Sequence, residues 1–212
     1  MDLLKQILNF LSGLRGASTG TLSASPSTVE ATTPQPALNN SPKLDPVQYK
    51  TKLALEVTKK VYEPGDGKTY CNYYIREVCR WFGYDDFKTP DRDQASEMAR
   101  YMEAHPEHWY RLSKQVEYVD FNNKQRLTKV GADYQSATAW ASQGHLVIAA
   151  QANPDPGGHG HVCIICPSSE TLFSNKWGRP VPLAANVGAS NWIDKALSFA
   201  FKTEPDLYLY LG

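Results

Sequence analysis

The sequence predicts an α+β domain in which helices precede an antiparallel sheet, and three observations carry that reading. Apolar residues between Val47 and His105 recur mostly at helical spacing, those from His145 to Cys166 fall into two β-rich runs, and the turn-rich Asn153-Pro-Asp-Pro-Gly-Gly lies between the runs. Two strands about such a turn make an antiparallel hairpin.

Taken in order, Val47 to Tyr62 is mostly helical through Leu53, Leu55, Val57 and Val61, and Glu63-Pro-Gly-Asp-Gly-Lys-Thr is a loop. Tyr70 to Phe82 resumes the helical period through Tyr74, Ile75, Val78, Trp81 and Phe82, with Gly83 as its stop. Asp93 to His105 is expected to be another helix. Tyr110 to Val130 is mixed, with a short strand at Gln115 to Asp120. Tyr134 to Ser142 reads as a helix closed by Gly144, followed by strands at His145 to Gln151 and His161 to Cys166. A third strand is expected at Val181 to Val187, a helix at Asn191 to Phe201, and a closing strand at Asp206 to Leu211.

Ahead of this unit the character changes. Leu3, Leu4, Ile7, Leu8, Leu11 and Leu14 mark one face of an amphipathic helix over residues 1–16, and residues 17–45 are rich in Ser, Thr, Pro and Ala, a composition unable to offset the entropy of folding. The expected organisation is helix (1–16), flexible linker (17–45) and one domain (46–212). The helix is a candidate for docking on a larger assembly or a membrane surface. A cleavable signal peptide is not expected, because the N-terminus lacks a basic leading region and Lys5, Gln6 and Asn9 break its apolar stretch.

Composition narrows function further. Lys plus Arg and Asp plus Glu both total 22, so nothing points to electrostatic capture of nucleic acid, and no run approaches a membrane span. There is no GxGxxG, Walker loop, HExxH or GxSxG, so nucleotide, metalloprotease and serine-hydrolase readings have no support. The 11% of aromatic residues suits a carbohydrate or peptide groove and equally an ordinary core. With four cysteines, a disulfide framework and single-thiol chemistry both stay open, the state of Cys79, Cys163 and Cys166 included.

Cys71 falls in the first turn of a predicted helix, where unpaired N–H groups and the positive dipole end favour a thiolate and can hold an oxyanion. A small buried hydrophobe is the alternative reading of the same residue. Among five histidines, His161 is the expected base because it opens a strand after Gly157, Gly158 and Gly160, with His159 its competitor. His105 and His108 read as surface and His145 as an edge residue. Asn186 interrupts the apolar Leu183-Ala-Ala-Asn-Val-Gly and is the candidate orienter of the base, with Asn191, Gln151 and Asp155 as alternatives. His159, His161, Cys163 and Cys166 are all zinc-ligand types, but strand alternation turns Cys166 away from the other three, so no metal or other cofactor is expected.

With these residues in view, the chain resembles the NlpC/P60–CHAP superfamily of papain-like cell-wall cysteine peptidases and amidases. Thr69-Tyr-Cys-Asn-Tyr-Tyr-Ile-Arg-Glu-Val resembles the family's nucleophile helix. Gln143-Gly-His-Leu-Val-Ile-Ala-Ala-Gln and Gly158-His-Gly-His-Val-Cys-Ile-Ile resemble its paired core strands, and Ala185-Asn-Val-Gly stands where its third polar residue would be. The resemblance implies a papain-like fold, a nucleophile helix packed on an antiparallel sheet. It also implies Cys71 as nucleophile, His161 as base, Asn186 as orienter, and a peptidoglycan amide bond as substrate. Such an enzyme would act at the cell wall or in the periplasm, as a phage-associated lysin or an effector delivered by a route other than a signal peptide. An acyltransferase or deamidase on the same scaffold, and a non-catalytic cell-wall-binding module, are the alternatives. The stretch from Gly83 to Gln143 departs from any family pattern.

Overall fold

A computed structural model describes residues 41–65, 69–89, 94–120, 125–155 and 158–212. The helix expected over residues 1–16, the linker up to residue 40, and Asp93 and Gly157 lie outside the described residues.

Helix α1 (Pro46–Glu56) starts where Asp45 caps it, its carboxylate accepting from the Gln48 amide at 2.9 Å, and Pro46 supplies a preset φ at the first helical position. After a 3-10 turn (Lys60–Tyr62) comes α2 (Cys71–Trp81), which ends at Gly83, whose φ of 82° is the left-handed conformation that stops helices. Helix α3 (Ala95–Ala104) opens with the Glu97 carboxylate accepting from the Gln94 amide at 3.0 Å. Helix α4 (Tyr134–Ser142) is capped by Asp133.

The strands are β1 (Trp109–Arg111), β2 (Ser113–Asp120), β3 (Gln125–Ala132), β4 (Val147–Gln151), β5 (His161–Ile165), β6 (Thr171–Ser174), β7 (Arg179–Asn186), β8 (Trp192–Ala196) and β9 (Asp206–Tyr210). One seven-stranded sheet runs β1-β9-β4-β5-β7-β6, with β8 also paired to β7, and every pairing is antiparallel. β2 and β3 form a separate hairpin. The α+β expectation with an antiparallel sheet holds.

Both faces of the central strands are covered, which is why β4 and β5 read as unbroken apolar runs rather than alternating ones. Val162, Ile164 and Cys166 join Ile148 and Ala150 in a core closed by α1, α2 and α3 through Tyr49, Leu53, Tyr74, Ile75, Val78 and Met98. Cys163 and Ile165 join Val147, Ala149, Leu207 and Leu209 in a second core under Ala137 and Ala141 of α4, with Phe201. Each Val, Ile or Leu buried this way contributes about 1.5–3 kcal/mol.

Three expectations are corrected. Tyr110 to Val130 holds more strand than the single short one expected, because β1 pairs with β9 and β2 with β3 over long registers. The helix expected at Asn191 to Phe201 is β8 followed by a 3-10 turn (Leu197–Phe199): its main-chain groups pair with β7, and Asp194 sits at φ 59°, which interrupts any helix. Strand β6 was not anticipated; three of its four residues are exposed, so it carries no burial pattern to read. The chain also joins the domain before residue 46. The Ser41 hydroxyl donates to the Tyr210 carbonyl at 2.7 Å, and the Leu44 amide donates to the Gly144 carbonyl at 3.0 Å. Gly144, at φ 88°, has no room for a side chain there: a Cβ would lie 1.8 Å from the Leu44 oxygen.

Candidate active site

Cys71 is the first residue of α2, and the residue before it, Tyr70, makes no side-chain cap. The first-turn amides are therefore left to the sulfur: the Asn72 amide donates to it, its own amide dipole lies beside it, and the Thr69 hydroxyl is a further donor. A fourth group comes from the sheet. β5 pairs with β7 only at Ile164 and Ile165, and ahead of that pairing the Val162 amide donates to the Cys71 sulfur. All four groups favour the thiolate. Burial, at 4% exposure, outweighs them and holds the Cys71 thiol above its ordinary pKa.

His161 opens β5, one residue from the amide that reaches Cys71. Its Nε2 lies 2.7 Å from Asn186 Oδ1, and Asn186 Nδ2 donates to the Ser190 carbonyl at 2.8 Å. The second bond fixes the first. Because the Asn186 amine end is committed to a carbonyl, its oxygen faces the ring, and an oxygen can only accept, so Nε2 carries the proton. The other nitrogen, Nδ1, is then the acceptor, which is the tautomer a base needs. Burial lowers the His161 pKa and the Asn186 bond raises it, with a net lowering, so the ring rests neutral at pH 7.

The ring is held on its other sides as well. Phe201 packs against it at 5.1 Å between centroids, and a Cβ on Gly188 would lie 3.2 Å from His161 Cε1. Gly188, Phe201 and Ser190 were not read from the sequence as parts of the site. Gly188 was visible only as the last residue of Ala185-Asn-Val-Gly, and nothing in a linear pattern shows that a ring lies against it.

The competing residues fall elsewhere. His159 is exposed in the loop before β5, its carbonyl accepting from Asn153 Nδ2 at 3.4 Å. Asn191 is spent on the Tyr62 carbonyl at 3.0 Å and the Gly188 amide at 3.2 Å, and Gln151 donates to Thr203 at 2.5 Å. Asp155 is exposed, its amide donating to Asn153. His145, expected at an edge, is instead buried against the Trp140 ring. His105 and His108, expected at the surface, are half-buried: each bonds a carbonyl through Nδ1, and His105 stacks on Tyr101. All four cysteines are free and buried, with Cys163 and Cys166 in opposite cores, and no cluster of metal-ligating side chains occurs among the described residues. Among the aromatic residues near α2 and β8, Tyr73 is 52% exposed on α2 and meets Tyr70 edge-on, whereas Trp192 is buried and Trp177 stacks on Tyr134. An open apolar hollow of about 420 Å³ lies apart from these residues, between Val47 and Ala54 of α1 and Ile193 of β8.

No family model matches the chain, and no curated protein or solved structure matches it significantly. No described helix is long and apolar enough to cross a membrane.

Proposed function

We propose that the domain is a papain-like cysteine hydrolase of the NlpC/P60–CHAP kind that cuts an amide bond in peptidoglycan. The observation that carries the proposal is the His161–Asn186 pair, which leaves the accepting Nδ1 of a neutral imidazole beside the strand position whose amide holds the Cys71 sulfur. The peptidoglycan assignment rests on the resemblance of the three sequence segments.

The chemistry follows from the protonation states. His161 Nδ1 takes the thiol proton as the Cys71 sulfur attacks the carbonyl carbon, and the C=O electron pair moves onto oxygen. The oxyanion is met by the Cys71 amide at the start of α2. When the C–N bond breaks, the imidazolium returns its proton to the leaving amine and a thioester remains. Water then attacks with His161 again as base, releasing the carboxylic acid and the thiol. Asn186 keeps the ring in one tautomer and orientation through both halves. The pair works only if Nδ1 comes within hydrogen-bond reach of the sulfur in the substrate complex.

The test is release of new amines from purified peptidoglycan by the wild type, Cys71→Ala and His161→Ala, with mass spectrometry of the fragments. Release that both folded variants lose is the expected result. A wild type that releases none, with a Cys71 whose alkylation is indifferent to His161→Ala, overturns the reading in favour of a binding module. The near-complete burial of Cys71 favours one second reading, acyl transfer, because a shielded thioester is protected from water. Added amine appearing in the product in place of water would establish it.

A further inference from the structure

The polypeptide from Asn153 to Gly160 leads directly into His161, and one buried side chain from another element holds it at two points, Asn153 and Gly158. Ser96, in the first turn of α3 and 4% exposed, donates its hydroxyl proton to the Gly158 carbonyl at 2.9 Å and accepts from the Asn153 amide at 3.1 Å. A hydroxyl can do both at once because it has one donor and two acceptor positions. The fit depends on glycine. A Cβ on Gly160 would lie 2.5 Å from the Gln151 carbonyl and 2.7 Å from Ser96 Oγ, and one on Gly158 would strike the Asn153 side chain at 2.3 Å. The absence of a side chain at these two glycines lets the loop close onto Ser96 and onto its own Asn153.

We infer that Ser96 is a positioning residue for His161, acting through the loop main chain and not on substrate; the inference rests on the proposed hydrolase reading. Two supports are independent of Ser96 and hold the same segment: Asn153 Nδ2 donates to the His159 carbonyl at 3.4 Å, and Arg100 donates to the Asn153 carbonyl at 3.1 Å. The loop is thus clasped from α3 twice, by Ser96 beneath and Arg100 at the rim. What the clasp fixes is the main-chain direction from which His161 leaves Gly160, and with it the distance between Nδ1 and the sulfur.

The experiment compares the wild-type chain with Ser96→Ala by two readouts: the rate of amine release from peptidoglycan, and the titration of the His161 ring followed by NMR, its signal assigned with His161→Ala. A loosened clasp is expected to lower the rate about ten- to a hundredfold, the scale of an ångström-size misplacement, mainly in kcat. It is also expected to move the His161 pKa up toward its ordinary value as water reaches the ring. Unchanged titration and rate in a folded Ser96→Ala overturn the inference, since a merely structural serine would alter stability alone. If Ser96→Ala does not fold, Asn153→Ala, which frees the His159 carbonyl at a half-exposed position, gives the same two readouts and decides in the same way. A wild type inactive on peptidoglycan, with Cys71 alkylation indifferent to His161→Ala, would defeat the hydrolase reading, while the titration still decides the clasp.

Discussion

Cys71 and Cys79 stand two turns apart on one face of one helix, both buried in the same core, and they differ in the groups that surround the sulfur. At Cys79 nothing offsets burial, which pushes the thiol far up. At Cys71 four N–H and O–H groups oppose the same force. What separates them is where each lies along the helix. The first turn of α2 has amides to give, whereas at the last turn the amides are already used by carbonyls one turn back. A cysteine becomes a candidate nucleophile through the donors around it, and burial alone makes it inert.

The sharpest way to break this comparison is to exchange the roles. Cys71→Ala is expected to reduce amine release about 10⁴-fold or more, the scale seen when a member of a catalytic triad is removed, with the fold retained by circular dichroism. Comparable loss in Cys79→Ala would overturn the distinction. A thiol-alkylating reagent applied to the folded chain and read by peptide mapping is expected to label Cys71 and leave Cys79, Cys163 and Cys166 unlabelled until denaturant is added.

Asn186→Ala comes next, with an expected fall in rate on the order of 10²-fold from misorientation of the ring. Because it leaves His161 Nε2 and the Ser190 carbonyl without their partner, it should also cost about 1–3 kcal/mol in denaturant unfolding. A full-rate variant would remove Asn186 from the machinery.

The pH dependence has a definite sign. In the proposed mechanism the working form is neutral imidazole with neutral thiol. His161 titrates below its ordinary value and Cys71 above its own, so kcat/KM should rise through an acid limb below pH 6.5 and fall only beyond pH 9.0. Stability follows the same histidine. Its folded pKa is lowered, so the unfolded chain binds the proton more readily, and stability is lost as pH falls below 6.5; His145, also lowered by burial, adds to this. Urea midpoints that hold steady from pH 8 to pH 5 would contradict the assignment. The smallest effect is expected at Cys79→Ala, about 1 kcal/mol for one small buried group, with activity unchanged.

The pairing of His161 with Asn186 was easier to read than the architecture around it. A cysteine opening a helical period, a histidine opening an apolar run and a polar residue inside another run each announce themselves locally, and the structure brings His161 and Asn186 into contact across 25 positions. The helix wrongly expected at Asn191 to Phe201 shows the limit. Trp192, Ile193, Ala196, Leu197 and Phe201 do have helical spacing, yet pairing with β7 through a register shift near Ala184 to Asn186 claims the main chain there. The hairpin β2–β3 was half-read because only one of its strands has β-rich composition. Ser96 and Gly188 were silent in the linear pattern because their significance is in what approaches them from 62 and 27 positions away.

The position of β9 has a temporal consequence. It is the last strand of the sheet in sequence order, yet it lies between β1 and β4, pairing Tyr208 with Ile148 on one side and with Arg111 on the other. During synthesis, therefore, the β4–β5 hairpin that carries His161 can form early, but β4 stays an open edge until Asp206–Tyr210 has left the ribosome. The sheet is completed one place in from its β1 edge by the strand of the sheet made last, so a nascent chain stopped short of it would hold His161 and Asn186 on an unfinished scaffold.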